Sequence, residues 1–194
     1  MIGRGFRSQT IGVGDTITLS FDFRQKAATG ILRFGLHNLV EVAVSADHWA
    51  RTSSGSYAGY TTFIRDNGTN IARSETADFD NRDDNNFPTH GTSGTTRTIT
   101  VDGGNTNFTF QNDTDYQFTF SVTRVSEDQT DTVLLVMEGD TERYNVVGSH
   151  TSSPHFDTFN AATLRVGGSG TALFNNIELL GPEPIVRGTV LIIK

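Results

Sequence analysis

Carboxylates are the first residues to consider for catalysis, because hydrolysis of a glycosidic bond needs two of them facing each other across a groove. Glu138 and Glu142 flank a Glu-Gly-Asp turn, and Asp22 stands alone on the polar face of an alternating segment. Such positions are typical of a solvated surface. The sequence therefore offers no acid and base pair for hydrolysis.

The histidines are scattered along the chain, at positions 37, 48, 90, 150 and 155. None of them has the His-x-His or His-x₃-His spacing of a metal-binding strand or helix. The chain contains no cysteine, which excludes thiolate catalysis, zinc-thiolate sites and disulfides. The pattern favours imidazoles that lie on the surface or anchor loops, and no proton-transfer role follows from it.

The acidic stretch ADFDNRDDNN predicts either a calcium site or a solvated loop. Its carboxylates are hard oxygen ligands in one segment, which is what Ca²⁺ prefers. The stretch is not an EF-hand loop, because the glycine at position six and the glutamate at position twelve are absent. The candidate ligands are Asp78, Asp80, Asp83 and Asp84.

The segment DHWARTSSGSYAGYTTFIRD is the candidate for glycan binding, since a solvent-facing aromatic ring can stack on a sugar between polar neighbours. Trp49 has an alternative role as a core residue, and strand parity alone does not decide between the two. The candidate glycan-binding residues are Trp49, Arg51, Tyr57, Tyr60 and Arg65. Three Asn-x-Thr sequences are potential glycosylation sites, at Asn67, Asn107 and Asn112.

Short alternating segments must position these residues. In Thr16 to Arg24, apolar Ile, Leu and Phe alternate with Thr, Ser and Asp, which predicts a half-buried strand. Similar segments recur from residue 30 to residue 180, with turn signals between them and one long polar loop at 75–94. No helical pattern interrupts them, so we predict an all-β fold with two antiparallel sheets in a jelly-roll sandwich.

Composition limits the partners. The chain has 194 residues, enough for one core, and a formal net charge of −7, which argues against nucleic acids and anionic membranes. No segment approaches the roughly 20 apolar residues that a membrane-spanning helix needs. The first residues lack the apolar stretch of a secretory signal, so the chain either stays in the cytoplasm or has lost a leader.

Three stretches carry a family resemblance: GDTITLSFDFRQKAATGILRFGLHN, DYQFTFSVTRVSEDQTDTVLLVMEGD and FDTFNAATLRVGGSGTALFNNIELLGPEP. Together they resemble the concanavalin A-like (laminin G-like) sandwich modules of secreted bacterial proteins. The resemblance implies an extracellular or cell-surface location, and calcium-stabilised loops are common in that family. In some members a Pro-Glu-Pro sorting signal follows, and Pro182-Glu183-Pro184 matches it, but a short segment containing Arg187 and Gly188 replaces the membrane-length helix.

The same resemblance bears on catalysis. Hydrolases of the family carry a Glu-x-Asp-x-Glu strand, and its lyases carry Arg/Glu strand motifs with a Gln-x-His and a Tyr. Neither set occurs here in matching order. We therefore expect a protein that is not an enzyme and requires no cofactor, with Ca²⁺ as an ion that the acidic stretch could bind.

The last residues form a predicted arm. A domain at 1–181 is followed at 182–194 by a proline hinge and a strand that is apolar on both faces and must be buried. Three partners are open: its own sandwich, a neighbouring copy, or none if the segment is a degenerate sorting signal. The assembly residues would be Ile185, Val186, Val190, Leu191, Ile192 and Ile193.

From the stiff hinge we predict that the strand enters a neighbouring copy. Repeated head to tail, this contact builds an extracellular filament or surface layer. A carbohydrate-binding module is the alternative, with polysaccharide as partner, and a polysaccharide-active enzyme of the same fold comes third.

Overall fold

A computed structural model of the chain describes residues 2–26, 31–39, 44–45, 48–49, 56–65, 68–78, 94–98, 100–102, 110–151, 155–167 and 171–182. This part of the chain contains strands and no helix, and therefore no helix long and apolar enough to cross a membrane. The strands are β1 (Ile2–Thr10), β2 (Thr16–Gln25), β3 (Ile31–Leu39), β4 (Val44–Ser45), β5 (His48–Trp49), β6 (Ser56–Arg65), β7 (Gly68–Asp78), β8 (Gly94–Thr98), β9 (Thr100–Asp102), β10 (Asp115–Ser126), β11 (Gln129–Glu138), β12 (Thr141–His150), β13 (Thr158–Gly167) and β14 (Ala172–Leu180).

The strands form two antiparallel six-stranded sheets. Sheet A has the order β1-β13-β3-β6-β7-β8, and sheet B has the order β14-β2-β10-β11-β12-β9. Strands β4 and β5 pair with each other in a small third sheet. The prediction of an all-β, two-sheet sandwich is confirmed, and the turn predicted at Glu138-Gly139-Asp140 joins β11 to β12.

Alternation of apolar and polar residues determines which face of each strand is buried. In β2 the residues Ile17, Leu19, Phe21 and Phe23 are buried, while the Thr, Ser and Asp residues between them lie on the outer face. The same pattern holds in β10, whose register with β2 places Phe118 beside Phe21. Throughout β2 and β10, apolar residues that are register partners therefore lie on the same, inward-facing side of the sheet.

Aromatic rings fill the part of the core beneath β2, β10 and β14. The rings of Phe21 and Phe118 stack at a centroid distance of 4.9 Å, and Phe34 of sheet A meets Phe21 edge-on at 5.1 Å. Further rings extend this cluster, namely Phe23, Phe110, Phe120 and Phe174. These contacts join the two sheets, because Phe34 belongs to sheet A and the other rings belong to sheet B, except Phe110, which precedes β10.

The part of the interior next to β11 and β12 is more polar. Thr130 and Thr132 of β11 are fully buried on the inner face, and the Thr132 hydroxyl donates to the Gly148 carbonyl at 3.3 Å. Tyr60 and Thr62 of β6 are also fully buried, in sheet A. Buried hydroxyl groups need hydrogen-bond partners, so hydrogen bonds restrain the orientation of the polar side chains in this half of the sandwich.

Two strands differ from the sequence-based prediction. Strand β1 pairs with β13 at the edge of sheet A, although its sequence, IGRGFRSQT, does not alternate regularly. Strand β7 extends to Asp78, into the stretch predicted to be a loop from residue 75 onwards. Strand β1 pairs with β13 and strand β7 pairs with β6, so tertiary pairing outweighs the local pattern.

Candidate functional site

Strands β3 and β6 lie next to each other in sheet A and carry distinctive residues on both faces. Their register pairs Leu36 with Tyr60 and His37 with Gly59. Leu32, Phe34 and Leu36 face the core, so the alternate residues of β3 lie on the outer face of the sheet. These outer-face residues are Arg33, Gly35 and His37.

His37 is fully buried although it belongs to the outer face. Its Nε2 lies 3.0 Å from the hydroxyl of Thr163 on β13, and a Cβ atom on Gly35 would come within 2.9 Å of the same nitrogen. The imidazole therefore lies over Gly35, and a side chain there would displace it. Burial lowers the pKa of His37 to about 3, because the charged form would lose its hydration. At neutral pH this side chain is a neutral hydrogen-bonding group.

Every strand of sheet A contains at least one arginine, and the neighbouring strands β13, β3 and β6 contain one each. Arg33 is the register partner of Arg165 in β13, and Arg65 at the end of β6 is the partner of Ile31 at the start of β3. The side chain of Arg33 is partly exposed. The sequences of β3, β6 and β13 contain no Asp or Glu, although the chain has 22 acidic residues and 15 Lys and Arg. These strands are thus basic within an acidic protein.

A network of Tyr60 and two histidines lies on the inner side of the same region. The Tyr60 hydroxyl is 3.1 Å from Nδ1 of His150, and the backbone N–H of Phe156 donates to that hydroxyl at 3.5 Å. The rings of His150 and His155 lie 4.5 Å apart between centroids, and Nδ1 of His155 is 3.4 Å from the Thr130 hydroxyl. Tyr60 and His150 are buried and His155 is half-buried, so the network leads from the core towards the surface.

Several carboxylates are engaged in surface ion pairs. Arg24 forms a two-pronged ion pair with Asp115, and Lys26 pairs with Asp113 at 2.6 Å. The hydrogen bond from the neighbouring cation holds the pKa of each carboxyl below its usual range. These groups lie at the β2–β10 end of sheet B, and the ion pairs connect β2 and the residue after it to β10 and the turn before it.

The three carboxylates considered for hydrolysis also have nearby partners. Asp22 accepts a hydrogen bond from Asn176 at 2.5 Å, Glu138 pairs with Arg143 at 3.2 Å, and Glu142 accepts from Asn145 at 3.2 Å. The structure thus gives each of them a polar contact on sheet B. Strands β3, β6 and β13 of sheet A contribute none of these carboxylates.

The predicted glycan-binding residues are divided in the structure. Tyr60 is fully buried and its hydroxyl contacts His150, so its ring does not face solvent and cannot stack on a sugar. Trp49 is in β5, where its backbone pairs with Val44, and Tyr57 pairs with Leu39 across β6 and β3. Arg65 ends β6, and Arg51 lies outside the described residues.

The remaining predicted sites fall mostly outside the described residues. Of the calcium candidates, Asp78 ends β7, and residues 80, 83 and 84 are not described. Asn112 is exposed and its side-chain oxygen accepts from Gln25 at 2.9 Å, whereas Asn67 and Asn107 are not described. The assembly strand at 185–193 also lies outside the described part of the chain. Calcium binding and glycosylation stay predictions.

Neither histidine cluster follows from sequence spacing. Thr163 is 126 residues from His37, and His150 is 90 residues from Tyr60. The contacts depend on which strands pair in sheet A and on how the two sheets stack. One local signal was available, because Gly35 and His37 alternate with core residues and glycine within a strand often marks a close approach.

The architecture resembles that of several solved enzymes. The PL-14 alginate lyase from Aplysia kurodai has a TM-score of 0.49 and 15% identity, over 87% of this chain and 70% of that chain. The alginate lyase Aly36B has a TM-score of 0.40 and 14% identity, over 94% and 73%. Scytalido-glutamic peptidase has a TM-score of 0.34 and 10% identity, over 96% and 84%. At these identities the similarity concerns the fold alone.

No family model and no curated protein matches the sequence. The solved structures that resemble the chain agree with a concanavalin A-like sandwich, as predicted. They are polysaccharide lyases and a peptidase, and this finding speaks against two predictions: that the protein is not an enzyme, and that it is a structural subunit of a filament or surface layer.

Proposed function

We propose that the protein is an extracellular polysaccharide-active enzyme that acts on an acidic polysaccharide at the outer face of sheet A. The observation that carries this proposal is the composition of the central strands. Strands β3, β6 and β13 contain three arginines, one histidine and no acidic residue, in a chain of net charge −7. Such a local excess of positive charge attracts an anionic ligand.

The candidate substrate-binding residues lie along the outer side of β3 and β6. Gly35 lies between Arg33 and His37 on the outer side of β3, and Gly59 lies beside His37 on β6. Arg33 is partly exposed, and a guanidinium binds a carboxylate through two parallel hydrogen bonds. We assign to Arg33 the binding of a uronate carboxylate. The neutral His37, hydrogen-bonded to Thr163, would support the surface on which the sugar lies.

The charge pattern favours elimination over hydrolysis. Hydrolysis requires two carboxylates, and the three central strands supply none. In elimination, a base removes the proton next to the uronate carboxylate, those electrons form a carbon–carbon double bond, and the glycosidic oxygen leaves with a proton. Pairing with Arg33 stabilises the negative charge that develops on the carboxylate.

His37 does not serve as that base. Its pKa of about 3 makes it a poor proton acceptor at neutral pH. Our candidate is Tyr57, two positions before Gly59 on β6 and the register partner of Leu39, which in its phenolate form would take this proton and then pass it to the departing glycosidic oxygen. Tyr57→Phe should abolish turnover while leaving polysaccharide binding within about twofold, because it removes only the hydroxyl.

The reaction class is tested with a panel of uronate-containing and neutral polysaccharides. Elimination produces both new reducing ends and the ultraviolet absorbance of an unsaturated uronate, and we expect both signals with acidic polymers only. Reducing ends without that absorbance would establish hydrolysis and contradict the proposed chemistry. Binding without either signal would leave the carbohydrate-binding alternative.

Arg33→Ala should lower kcat/KM on the acidic polymer at least tenfold, a loss of about 1.4 kcal/mol or more of transition-state stabilisation. Arg7→Ala is the matched control, because Arg7 is exposed on the edge strand β1. It should change kcat/KM less than twofold. Equal losses in the two variants would show that only the overall charge matters, and would remove Arg33 from the site.

A further inference from the structure

We propose that β14 is the contact surface of a homodimer, in which two copies of the chain pair their β14 strands side by side about a two-fold axis. Strand β14 lies at one edge of sheet B, and among the described strands it hydrogen-bonds only to β2. The outer side of an edge strand carries backbone N–H and C=O groups that can pair with a further strand. This edge belongs to sheet B and Arg33 belongs to sheet A, so the inference does not rest on the proposed function.

Strand β14 lacks most of the features that protect an edge from pairing. Proteins protect such edges with lysine, proline, inward-pointing charges or a bulge. The sequence ALFNNIELL contains no lysine or proline, and its one charged residue, Glu178, lies on the outer face as the register partner of Ser20. A bulge interrupts the strand between Asn175 and Glu178 and leaves a regular segment on each side. Both segments can therefore pair with another strand.

The bulge gives the outer face of β14 a symmetric arrangement. Leu173 and Asn175 lie on this face before the bulge, and Glu178 and Leu180 lie on it after the bulge. Two antiparallel copies can therefore be aligned so that Leu173 lies opposite Leu180 of the second copy. The same alignment places Asn175 opposite Glu178 of the second copy, and the two-fold axis repeats both pairs.

The side chains that meet in this alignment are complementary. Leu173 is 39% exposed and Leu180 is 63% exposed, and each leucine would cover the other at both ends of the contact. The Asn175 amide can donate to the Glu178 carboxylate of the second copy, and no like charges lie opposite each other. A shift of two residues would place a leucine opposite Glu178 or Asn175. The complementarity therefore favours a second copy of this chain as the partner, in one register.

The bulge itself is held by β2. Asn176 has a φ of 48°, in the left-handed region, and its side-chain amide donates to Asp22 of β2 at 2.5 Å. This hydrogen bond turns the bulge towards its own sheet, so the two regular segments make the contact. A two-fold contact closes after two copies and does not propagate. It therefore differs from the head-to-tail filament that the sequence predicted.

Sedimentation of the full chain over a wide range of concentrations tests for the dimer. An edge-to-edge contact is smaller than a standard interface, so the dimer fraction should rise reversibly with protein concentration. Leu173→Lys should weaken the dimer Kd at least tenfold, because the axis places the substitution in the contact twice. Val147→Lys is the matched control, since Val147 is 38% exposed on β12 of the same sheet, with three strands between it and β14. It should leave the Kd within twofold.

Engineered cysteines test the register, because the chain contains no cysteine of its own. Directly opposed residues have Cα atoms about 4.5–5.5 Å apart, within the range of a disulfide. The double variant Leu173→Cys/Leu180→Cys should therefore form disulfide-linked dimers on mild oxidation. Neither single variant should do so, because its cysteine would lie roughly 20 Å from the same residue of the second copy.

Three results would overturn the proposal. The first is a wild-type chain that stays monomeric at every concentration. The second is a dimer that Leu173→Lys and Val147→Lys affect equally, because the contact would then lie elsewhere. The third is disulfide formation in the single-cysteine variants as readily as in the double variant, which would exclude the proposed alignment.

Discussion

Replacing Gly59 with alanine is expected to destabilise the protein by about 3 kcal/mol or more, a large fraction of the free energy of unfolding of a typical domain. A Cβ atom at this position would lie 2.2 Å from the Leu36 carbonyl oxygen and 2.8 Å from the Cα atom of His37. Both atoms belong to the backbone of β3, the register partner of β6. They cannot move aside without separating two central strands of sheet A.

Urea unfolding followed by circular dichroism measures this loss. Gly35→Ala should behave similarly, because its Cβ atom would lie 2.5 Å from the Tyr60 carbonyl oxygen. Gly12→Ala is the control, since its nearest neighbour is the side-chain oxygen of Asp15 at 3.4 Å, and its stability should stay within about 1 kcal/mol of the wild type. A Gly59→Ala protein as stable as Gly12→Ala would mean that β3 and β6 do not approach this closely.

Much of the fold follows from local sequence patterns. The alternation in residues 16–24 and 116–122 corresponds to β2 and β10, whose apolar residues form the aromatic core. In a half-buried strand, inward positions need apolar side chains and outward positions need polar ones. The alternation is therefore strong wherever one face of a strand is exposed to solvent. It fails for β1, an edge strand whose residues alternate poorly and which is held by pairing with β13.

The candidate sites follow from the sequence much less. The five histidines have no metal-binding spacing, yet the fold brings His150 next to His155 and connects both to hydroxyls from two other strands. His37 alternates with core residues and therefore lies on the outer face of its strand, but it is fully buried. The alternation of apolar and polar residues predicts on which face of the sheet a side chain lies. It does not predict whether other parts of the chain cover that face.

Acidification should destabilise the protein through His37. The unfolded chain has an ordinary histidine pKa of 6.5, whereas burial lowers the pKa to about 3 in the folded protein. Between these values the unfolded chain binds a proton that the folded protein does not bind, so stability falls as the pH falls from above 6.5 towards 3. Between pH 7 and pH 5 the loss from this one group is about 2 kcal/mol, and it reaches about 4–5 kcal/mol at pH 3.

Other groups titrate over the same range, so the informative quantity is a difference. His37→Gln keeps an amide that can hydrogen-bond to Thr163 but has no proton to gain, and it should lower the stability at pH 7 while flattening its pH dependence. The free energies of unfolding of the two proteins, from urea titrations at several pH values, should therefore converge by about 2 kcal/mol between pH 7 and pH 5. Parallel curves would mean that His37 takes up its proton in the folded state as readily as in the unfolded one. Its imidazole would then be hydrated, accessible to a ligand on the outer face and able to act as the base.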